Sequence, residues 1–365
     1  MLTHAAPVVP KYSQWSKAFI QSLETVLLCV IAVGFLFLPQ ELRRLRAKPK
    51  GYATSCIPLP DGKLLISIAL RSIKEQRTEH GTTRILLRDL FQSPHTTRFL
   101  LPNMSPRCLA VDSLGDRLFL GDTDGALYST SLRRSDNATL LLGHVVKSHP
   151  SSMLCTLDGT SLMVQDHFGL YAWNVDIRSL EHGSPRWCVI ASSISCFEIY
   201  PDSLTAICVH NREGNSDLWE INIQTGDSQP ILKKIGRQVE KLVISPCGGF
   251  LASLEENGEI ALFCRGSNAE SWQPYSIPGL IASPTMIASF SPQSDVLITS
   301  HDDSRRFTLL AWDLKRKAVN REFDAKCTVI GCVFVNDKQF VSLGTDNTLR
   351  VWNQQNASPE REIKL

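Results

Sequence analysis

The sequence predicts an all-β fold, a seven-bladed β-propeller of four-stranded antiparallel blades preceded by one N-terminal hydrophobic helix. Three observations lead to this prediction. After residue 50, apolar runs of five to seven residues alternate with clusters of Gly, Asp, Asn and Pro, without a helical apolar period. The same region repeats a two-hairpin unit at near-constant intervals. One long apolar stretch precedes it, at residues 18–38.

The clearest copy of the unit is SLGTDNTLRVWN, residues 342–353, in which Trp352 lies six residues after the turn residue Asp346. Its strand position recurs at intervals of 42, 43, 46, 44, 49 and 40 residues, at Arg88, Thr130, Trp173, Trp219, Phe263, Trp312 and Trp352. A second hairpin with a tight turn precedes each of these positions. Four strands in each of seven units predict a propeller over residues 52–365. Two β-sandwiches with coincidental spacing are the alternative.

Several of the recurring positions carry a characteristic residue pair. Trp312-Asp313 is a Trp-Asp pair, and its close variants are Trp173-Asn174, Trp219-Glu220 and Trp352-Asn353. Gly143-His144 stands 30 residues before Trp173. By these motifs the chain resembles the WD-repeat family over roughly residues 52–365. The resemblance implies a propeller that serves as an interaction platform for other proteins.

In the WD-repeat family, a turn Asp, the His of a Gly-His pair, a strand Ser or Thr and the Trp form a hydrogen-bonded network within a blade. Here His144 is the only histidine in such a pair, and its blade has His167 where the turn Asp belongs. The blade of Asp346 lacks a matching histidine. We therefore expect hydrophobic packing between blades, rather than complete networks, to hold the ring together. Because the first and last units are both complete, the ring should close by packing of the first blade against the last.

The N-terminal region predicts a membrane anchor. A short segment at residues 1–17 precedes a predicted transmembrane helix at residues 18–39, which is long enough to cross a bilayer of about 30 Å. A basic linker follows at residues 40–51, with five cations against two before the helix, so the propeller is predicted to be cytoplasmic on a single-pass protein. The alternatives are a cleaved export signal, or a hydrophobic helix that docks on the propeller or lies in the membrane surface.

The composition and motifs argue against several function classes. The net charge is +2, so no general basic field points to nucleic acid. The 11 cysteines include no CxxC pair that would suggest zinc or redox chemistry. No catalytic motif spacing occurs, and Glu198 is the only carboxylate in the predicted inner strands. His301, with Asp302 and Asp303, is expected in a solvated hairpin loop. We therefore predict no enzyme activity, no cofactor, no metal and no small-molecule substrate.

The candidate partner face is formed by the b–c loops, where a to d are the strands of a blade from the centre outwards. Three of these loops are long and contain more basic than acidic residues. Their candidate residues are Arg71, Lys74, Arg77, Arg212, Arg305 and Arg306. Arginines of this kind pair with carboxylates or phosphates in a bidentate manner. Solvated variable loops are the simpler interpretation.

Two functions from different classes follow from these predictions. The first is a membrane-anchored, non-catalytic WD-repeat scaffold that mediates protein–protein interaction with partners of unknown identity. The alternative is an exported propeller enzyme, such as a lactonase-like hydrolase or a quinone-dependent dehydrogenase. The alternative requires a cleaved signal and carboxylates that line the central channel.

Overall fold

The structure is a computed structural model, and it describes residues 51–58, 63–70, 83–89, 96–101, 106–112, 114–122, 125–132, 139–142, 150–175, 185–190, 193–212, 214–266, 271–280, 285–302 and 306–365. The predicted anchor at residues 18–39, the segment before it and most of the basic linker lie outside these ranges. No helix within these ranges is long and apolar enough to cross a membrane.

The described strands form seven four-stranded antiparallel sheets, each built from four consecutive strands. Sheets 1 to 4 contain β1 (Gly51–Pro58), β2 (Lys63–Leu70), β3 (Thr83–Asp89), β4 (Thr96–Leu101), β5 (Pro106–Val111), β6 (Arg117–Asp122), β7 (Leu127–Ser131), β8 (Thr139–Leu142), β9 (Ser152–Cys155), β10 (Ser161–Gln165), β11 (Gly169–Asn174), β12 (Trp187–Ile190), β13 (Ile194–Ile199), β14 (Thr205–Arg212), β15 (Asn215–Asn222) and β16 (Ser228–Gly236). Sheets 5 to 7 contain β17 (Val239–Ile244), β18 (Phe250–Glu255), β19 (Ile260–Cys264), β20 (Gln273–Pro274), β21 (Thr285–Phe290), β22 (Val296–Asp302), β23 (Phe307–Asp313), β24 (Ala318–Asp324), β25 (Val329–Phe334), β26 (Gln339–Gly344), β27 (Thr348–Asn353) and β28 (Arg361–Lys364).

The first strand of each sheet lies at the centre of the fold. First strands of neighbouring sheets contact one another from β5 through β25, and β25 also contacts β1. The sheets therefore close into a ring, with strands a to d running outwards in sequence order. The prediction of an all-β propeller of four-stranded antiparallel sheets is confirmed.

Ring closure depends on apolar packing in the described part of the chain. All four strands of sheet 7 come from the C-terminal end, so no strand of sheet 1 enters it. Ile57 of β1, which is 1% exposed, shares a hydrophobic cluster with Leu109 of β5 and with Cys332 and Phe334 of β25. Burial of such apolar surface is the main source of stability in folded proteins.

The recurring strand-c position has one consistent register. It lies opposite the second residue of strand b, as in the pairs Trp173 with Leu162, Phe263 with Leu251, Trp312 with Leu297 and Trp352 with Phe340. These four aromatic side chains are all buried, as the repeat predicts.

Sheet 4 corrects one assignment made from the sequence. Trp219 pairs with Cys208, the fourth residue of β14, whereas Ile221 pairs with Ala206, the second. Ile221 therefore holds the repeat position, and Trp219 lies two residues nearer the b–c connection. Because residues two apart on a strand share a face, both can meet the same apolar cluster, and the sequence motif did not distinguish them.

Two serines link neighbouring sheets through their a–b turns. Ser203 and Ser294 both have a φ of 60°, which is uncommon for residues other than glycine. The Ser203 hydroxyl accepts hydrogen bonds from the backbone of Leu157 (2.8 Å) and Asp158 (3.2 Å) in the preceding sheet. Likewise, the Ser294 hydroxyl accepts one from the backbone of Cys247 at 3.0 Å. These bonds supplement the apolar contacts around the ring.

Candidate functional site

All b–c and d–a connections emerge on one face of the ring, because every sheet has the same strand order. We call this surface the b–c face, and the opposite one the a–b face. Arg212 at the end of β14 and Arg306 just before β23 lie on the b–c face, and both are exposed. The other candidate residues, Arg71, Lys74, Arg77 and Arg305, lie outside the described residues, as does His144.

Arg212 rests on an aromatic ring. Its guanidinium carbon is 5.9 Å from the centre of the Trp219 ring, a cation–π arrangement. The His210 ring lies 5.0 Å from that of Trp219, and its Nδ1 is 3.2 Å from the Ser193 hydroxyl. Burial and the Arg212 charge lower the pKa of His210 by more than Asp217 raises it, so this imidazole is neutral at physiological pH. Trp219, which lies two residues before the repeat position, thus supports the exposed Arg212 on this face.

Arg306 projects from sheet 6 on the same face. Its side chain is 79% exposed, and its Nη1 is 4.0 Å from the carboxylate of Glu322, which is itself 58% exposed. Exposed ion pairs of this kind contribute little to stability. Arg306 is therefore a surface group rather than part of the core.

His301 lies in β22 and is 7% exposed, so the expectation of a solvated loop is wrong. Its Nε2 is 2.6 Å from the Thr299 hydroxyl, which accepts a hydrogen bond from Trp312 Nε1 at 2.8 Å. Because the indole can only donate, the threonine oxygen accepts from Trp312, and the same hydroxyl is the hydrogen-bond partner of the histidine nitrogen. Sheet 6 thus contains three of the four side-chain types of the family network, with a histidine from strand b.

A cleft opens beside His301 at the seam between sheets 6 and 7. Its empty volume is about 240 Å³, including the space open to solvent, and it is lined by Ser300, His301, Asp302, Phe307, Thr308, Thr328 and Val329. Thr328 donates a hydrogen bond from its hydroxyl to Asp302 Oδ2 at 3.0 Å, which joins the two sheets across the cleft. No pattern in the sequence predicts this cleft, because its lining comes from three strands in two sheets.

In sheet 7, Asp346 pairs with an arginine instead of a histidine. Arg350, whose side chain is 4% exposed, lies 2.6 Å from Asp346 and 3.3 Å from Glu362, and Glu362 also pairs with Lys326 at 2.7 Å. Burial would raise the pKa of Asp346, but hydrogen bonds from Arg350 and Cys327 and the arginine charge outweigh it and hold this pKa below its usual value. The cluster ties the b–c turn to the outer strand β28.

The tryptophan in this sheet keeps its family partner, whereas two others do not. Trp352 Nε1 donates to the Ser342 hydroxyl at 2.8 Å. The indole nitrogens of Trp173 and Trp219 are buried without a hydrogen-bond partner among the described residues. These observations agree with the expectation of incomplete networks.

In sheet 3 the acidic side chain of the b–c turn is that of Asp166, the residue before His167. Asp166 Oδ1 accepts backbone hydrogen bonds from Phe168 at 2.7 Å and Gly169 at 2.9 Å. His167 lies six residues before Trp173, as Asp346 lies before Trp352, but the side chain that accepts the backbone hydrogen bonds of this turn is that of Asp166. A short side chain that accepts two backbone bonds is what such a turn requires.

The inner strands carry more charge than the sequence suggested. Glu198 in β13 is 2% exposed, and β17, which contacts β13, contains both Glu240 and Lys241. Burial lowers the pKa of Lys241, an effect that Glu240 and Cys196 partly offset. Glu198 is thus not the only inner-strand carboxylate. Within the described ranges, no group of three or more His, Cys, Asp or Glu side chains could hold a metal ion.

Comparisons with known proteins show the fold. No protein-family model and no curated protein sequence matches the chain. It is similar in structure to Kuenenia stuttgartiensis hydrazine synthase, with a TM-score of 0.61 and 14% identity, covering 87% of this chain and 99% of that one. It is also similar to the β-propeller domain of Cps50 (Swd1) from Myceliophteria thermophila, with a TM-score of 0.61 and 11% identity, covering 84% and 98%. Likeness at these identities shows a β-propeller and leaves its function open.

Proposed function

We propose that this chain is a non-catalytic, WD-repeat-like scaffold that is held at a membrane by its N-terminal helix and binds a protein partner on its b–c face. One observation carries the proposal: Arg212 is exposed on that face and lies 5.9 Å above the Trp219 ring. Tryptophan and arginine are enriched among the residues that dominate binding at protein interfaces. The ring beneath the guanidinium restricts its motion, so less entropy is lost when a partner carboxylate or phosphate binds.

Arg306 of sheet 6 is a second exposed arginine on the b–c face. Arg212 ends strand b of sheet 4 and Arg306 lies between strands b and c of sheet 6, so a partner that spans the face can contact both. A bidentate bond to a carboxylate or phosphate is stronger than a neutral hydrogen bond. We therefore propose a partner surface with acidic or phosphorylated groups that face Arg212 and Arg306.

The membrane part of the proposal is supported by the sequence alone. The apolar stretch at residues 18–38 is long enough to span, and the excess of positive charge lies after it. An anchored chain would keep the propeller near a cytoplasmic membrane surface, where its effective concentration towards a membrane-bound partner is raised.

The alternative of an exported propeller enzyme has one observation in its favour. Glu198, Glu240 and Lys241 lie on two neighbouring inner strands, next to the centre of the ring. Buried charged groups of this kind occur in active sites and also in structural ion pairs. The scaffold is the better supported proposal, because the exposed arginines need no further component to act.

The binding face is tested by site-directed photocrosslinking of the full-length chain in its native cells. A photoreactive amino acid at Asn215, next to Arg212 on the b–c face, is expected to give a defined protein adduct. The same amino acid at Lys315, on the a–b face, is expected to give none. The double variant Arg212→Glu with Arg306→Glu should reduce the adduct at least tenfold, because each lost charge-assisted bond is worth about 1.5–3 kcal/mol.

The matched control is Lys315→Glu with Lys338→Glu, which makes the same charge change at exposed positions on the a–b face. This control should leave the Asn215 adduct unchanged. An adduct only from position 315, or an adduct that survives the double arginine reversal in a folded protein, would contradict the proposed face.

A further inference from the structure

We propose that the seam between sheets 3 and 4, on the b–c face, binds an acidic peptide segment that carries one apolar side chain. This inference rests on the proposed scaffold function and names the kind of partner segment that this face accepts. The binding surface consists of Phe168 from sheet 3 with Arg212 and Trp219 from sheet 4, and we call it the seam site.

Phe168 is an exposed aromatic side chain in a well-fixed turn. It lies in the b–c turn of sheet 3, between β10 and β11, and is 42% exposed. Asp166 Oδ1 accepts a hydrogen bond from the Phe168 backbone at 2.7 Å, and the His167 ring lies edge-on to the Phe168 ring at 5.6 Å. The other exposed large hydrophobic side chains of the described chain lie in a–b turns or in β24, namely Leu114, Leu204 and Val319. Phe168 is therefore the apolar contact that the described part of the b–c face offers.

Arg212 leans over the same seam from sheet 4. It lies on the same side of β14 as Cys208, because alternate residues of a strand share a face. Cys208 belongs to the hydrophobic cluster that sheets 3 and 4 share, together with Leu170, which lies two residues after Phe168. Trp219, on whose ring the guanidinium rests, packs against this cluster. The cation and its supporting ring thus lie on the side of sheet 4 that faces sheet 3.

A hydrogen bond and a strand pair join the two halves of the seam site. Gln165, three residues before Phe168, donates from Nε2 to the carbonyl oxygen of Ile194 at 3.1 Å. Ile194 lies opposite His210, two residues before Arg212. One side-chain contact and one strand spacing therefore separate the two connections, which puts Phe168 and Arg212 roughly 10–20 Å apart. About three to six residues of an extended peptide span this distance.

The charge at this end of sheet 4 favours an acidic segment. The described residues 210–212, 214–217 and 232–237 contain one carboxylate, that of Asp217, whose Oδ1 accepts a hydrogen bond from the Lys234 backbone at 2.9 Å. The same ranges contain four exposed cations, Arg212, Lys233, Lys234 and Arg237. Such an excess of positive charge attracts an acidic peptide, and a guanidinium can bind its carboxylate through two parallel hydrogen bonds.

The base of the seam site is held by hydrogen bonds within sheet 4. The backbone nitrogen of Asn211 donates to the Ser193 carbonyl at 2.8 Å, and the Ser193 hydroxyl lies 3.2 Å from His210 Nδ1. The Ser216 hydroxyl donates to Asn211 Oδ1 at 2.5 Å. These bonds fix the end of β14 against β15 and against the residue before β13. A peptide therefore meets side chains whose backbone is already ordered, which reduces the entropy lost on binding.

The test selects peptides from a random dodecapeptide phage library on the full chain in detergent. The selected peptides should be enriched in Asp or Glu and in one aliphatic or aromatic residue about three to six positions from the acid. Sequencing of the library before and after selection measures the enrichment of each residue class.

Two variants remove the two halves of the seam site separately. Phe168→Ala should lower the enrichment of apolar residues about tenfold and leave the preference for acids. Arg212→Glu should lower the enrichment of acidic residues about tenfold and leave the apolar preference. The matched controls are Leu204→Ala and Lys315→Glu, which make the same kinds of change at exposed positions on the a–b face and should alter neither preference.

Three outcomes would overturn the proposal: no enriched motif, a basic motif, or the same motif from the Phe168→Ala and Arg212→Glu variants as from the unaltered chain. The selection needs no cellular partner, so its result is independent of the crosslinking experiment. Adducts at Asn215 without an acidic and apolar motif would reject the seam site alone. A motif without an adduct on the b–c face would reject the scaffold function and leave the seam site as a peptide-binding surface.

Discussion

Removal of residues 360–365 is expected to lower the melting temperature of the protein by roughly 8 °C. The deletion takes away β28, which pairs with β27 from Lys364 opposite Thr348 to Arg361 opposite Val351. It also removes Ile363, which packs against the cluster of the ring seam. Lost ladder hydrogen bonds and apolar burial together amount to about 4 kcal/mol of unfolding free energy.

The deletion has a second consequence in the Arg350 cluster. Glu362 lies 3.3 Å from Arg350 and 2.7 Å from Lys326, and both contacts vanish with β28. Arg350 then keeps only Asp346 among the carboxylates that it contacts, at 2.6 Å. Partial loss of the partners of a buried cation adds to the destabilisation.

Thermal unfolding followed by near-ultraviolet circular dichroism of the full and truncated chains measures this effect. The control is Glu362→Gln, which keeps the strand and removes one exposed charge. It should lower the melting temperature by less than the truncation does, because it removes the Glu362 charge from Arg350 and Lys326 but keeps β28 and Ile363. An unchanged melting temperature after truncation would show that residues 361–364 are not the outer strand of sheet 7.

The second large effect is expected for Gly226→Ala, at the contact between sheets 3 and 4. Gly226 has a φ of 80°, and a Cβ added to it would lie 2.8 Å from Cγ of Trp187. The Trp187 ring cannot easily withdraw, because its Nε1 donates to the Ile223 carbonyl at 2.8 Å. The free energy of unfolding of the variant should fall by about 1–2 kcal/mol because of the left-handed backbone and by a further ~1–3 kcal/mol because of the clash.

Gly214→Ala is the matched control, since Gly214 also has a φ of 80° and a Cβ there would meet no atom within 4 Å. Its free energy of unfolding should fall only by the contribution of the left-handed backbone, about 1–2 kcal/mol. Urea denaturation of both variants gives the two free energies of unfolding. Equal losses would mean that the packing of Trp187 on Gly226 contributes nothing measurable.

The fold could be predicted because its signals are local. Each hairpin can be recognised within about a dozen residues from its turn residues and apolar runs, and the regular spacing of the hairpins then predicts a propeller. The register of a single strand is less well specified. Trp219 and Ile221 lie on the same side of β15, and the tryptophan matches the repeat motif whereas the isoleucine has the repeat register opposite Ala206.

The candidate site was less predictable, because it depends on contacts between distant segments. The positions of Arg212 and Arg306 at and after the end of strand b predict that both lie on the b–c face. The cleft joins Asp302 to Thr328 across two sheets, and no spacing in the sequence indicates that pair. The Asp346–Arg350 pair has a visible interval of four residues, whereas the contact of Arg350 with Glu362 requires the register of β27 and β28.

The central proposal, a propeller anchored at a membrane and facing the cytoplasm, is tested most directly by fractionating native membranes. Protease is added from each side, and the N-terminus of the recovered protein is sequenced. We predict an intact N-terminus in the membrane fraction and a propeller that protease reaches only from the cytoplasmic side. A soluble mature chain that begins near Ala47 or later and is recovered outside the cytoplasm would contradict the scaffold and favour the exported enzyme.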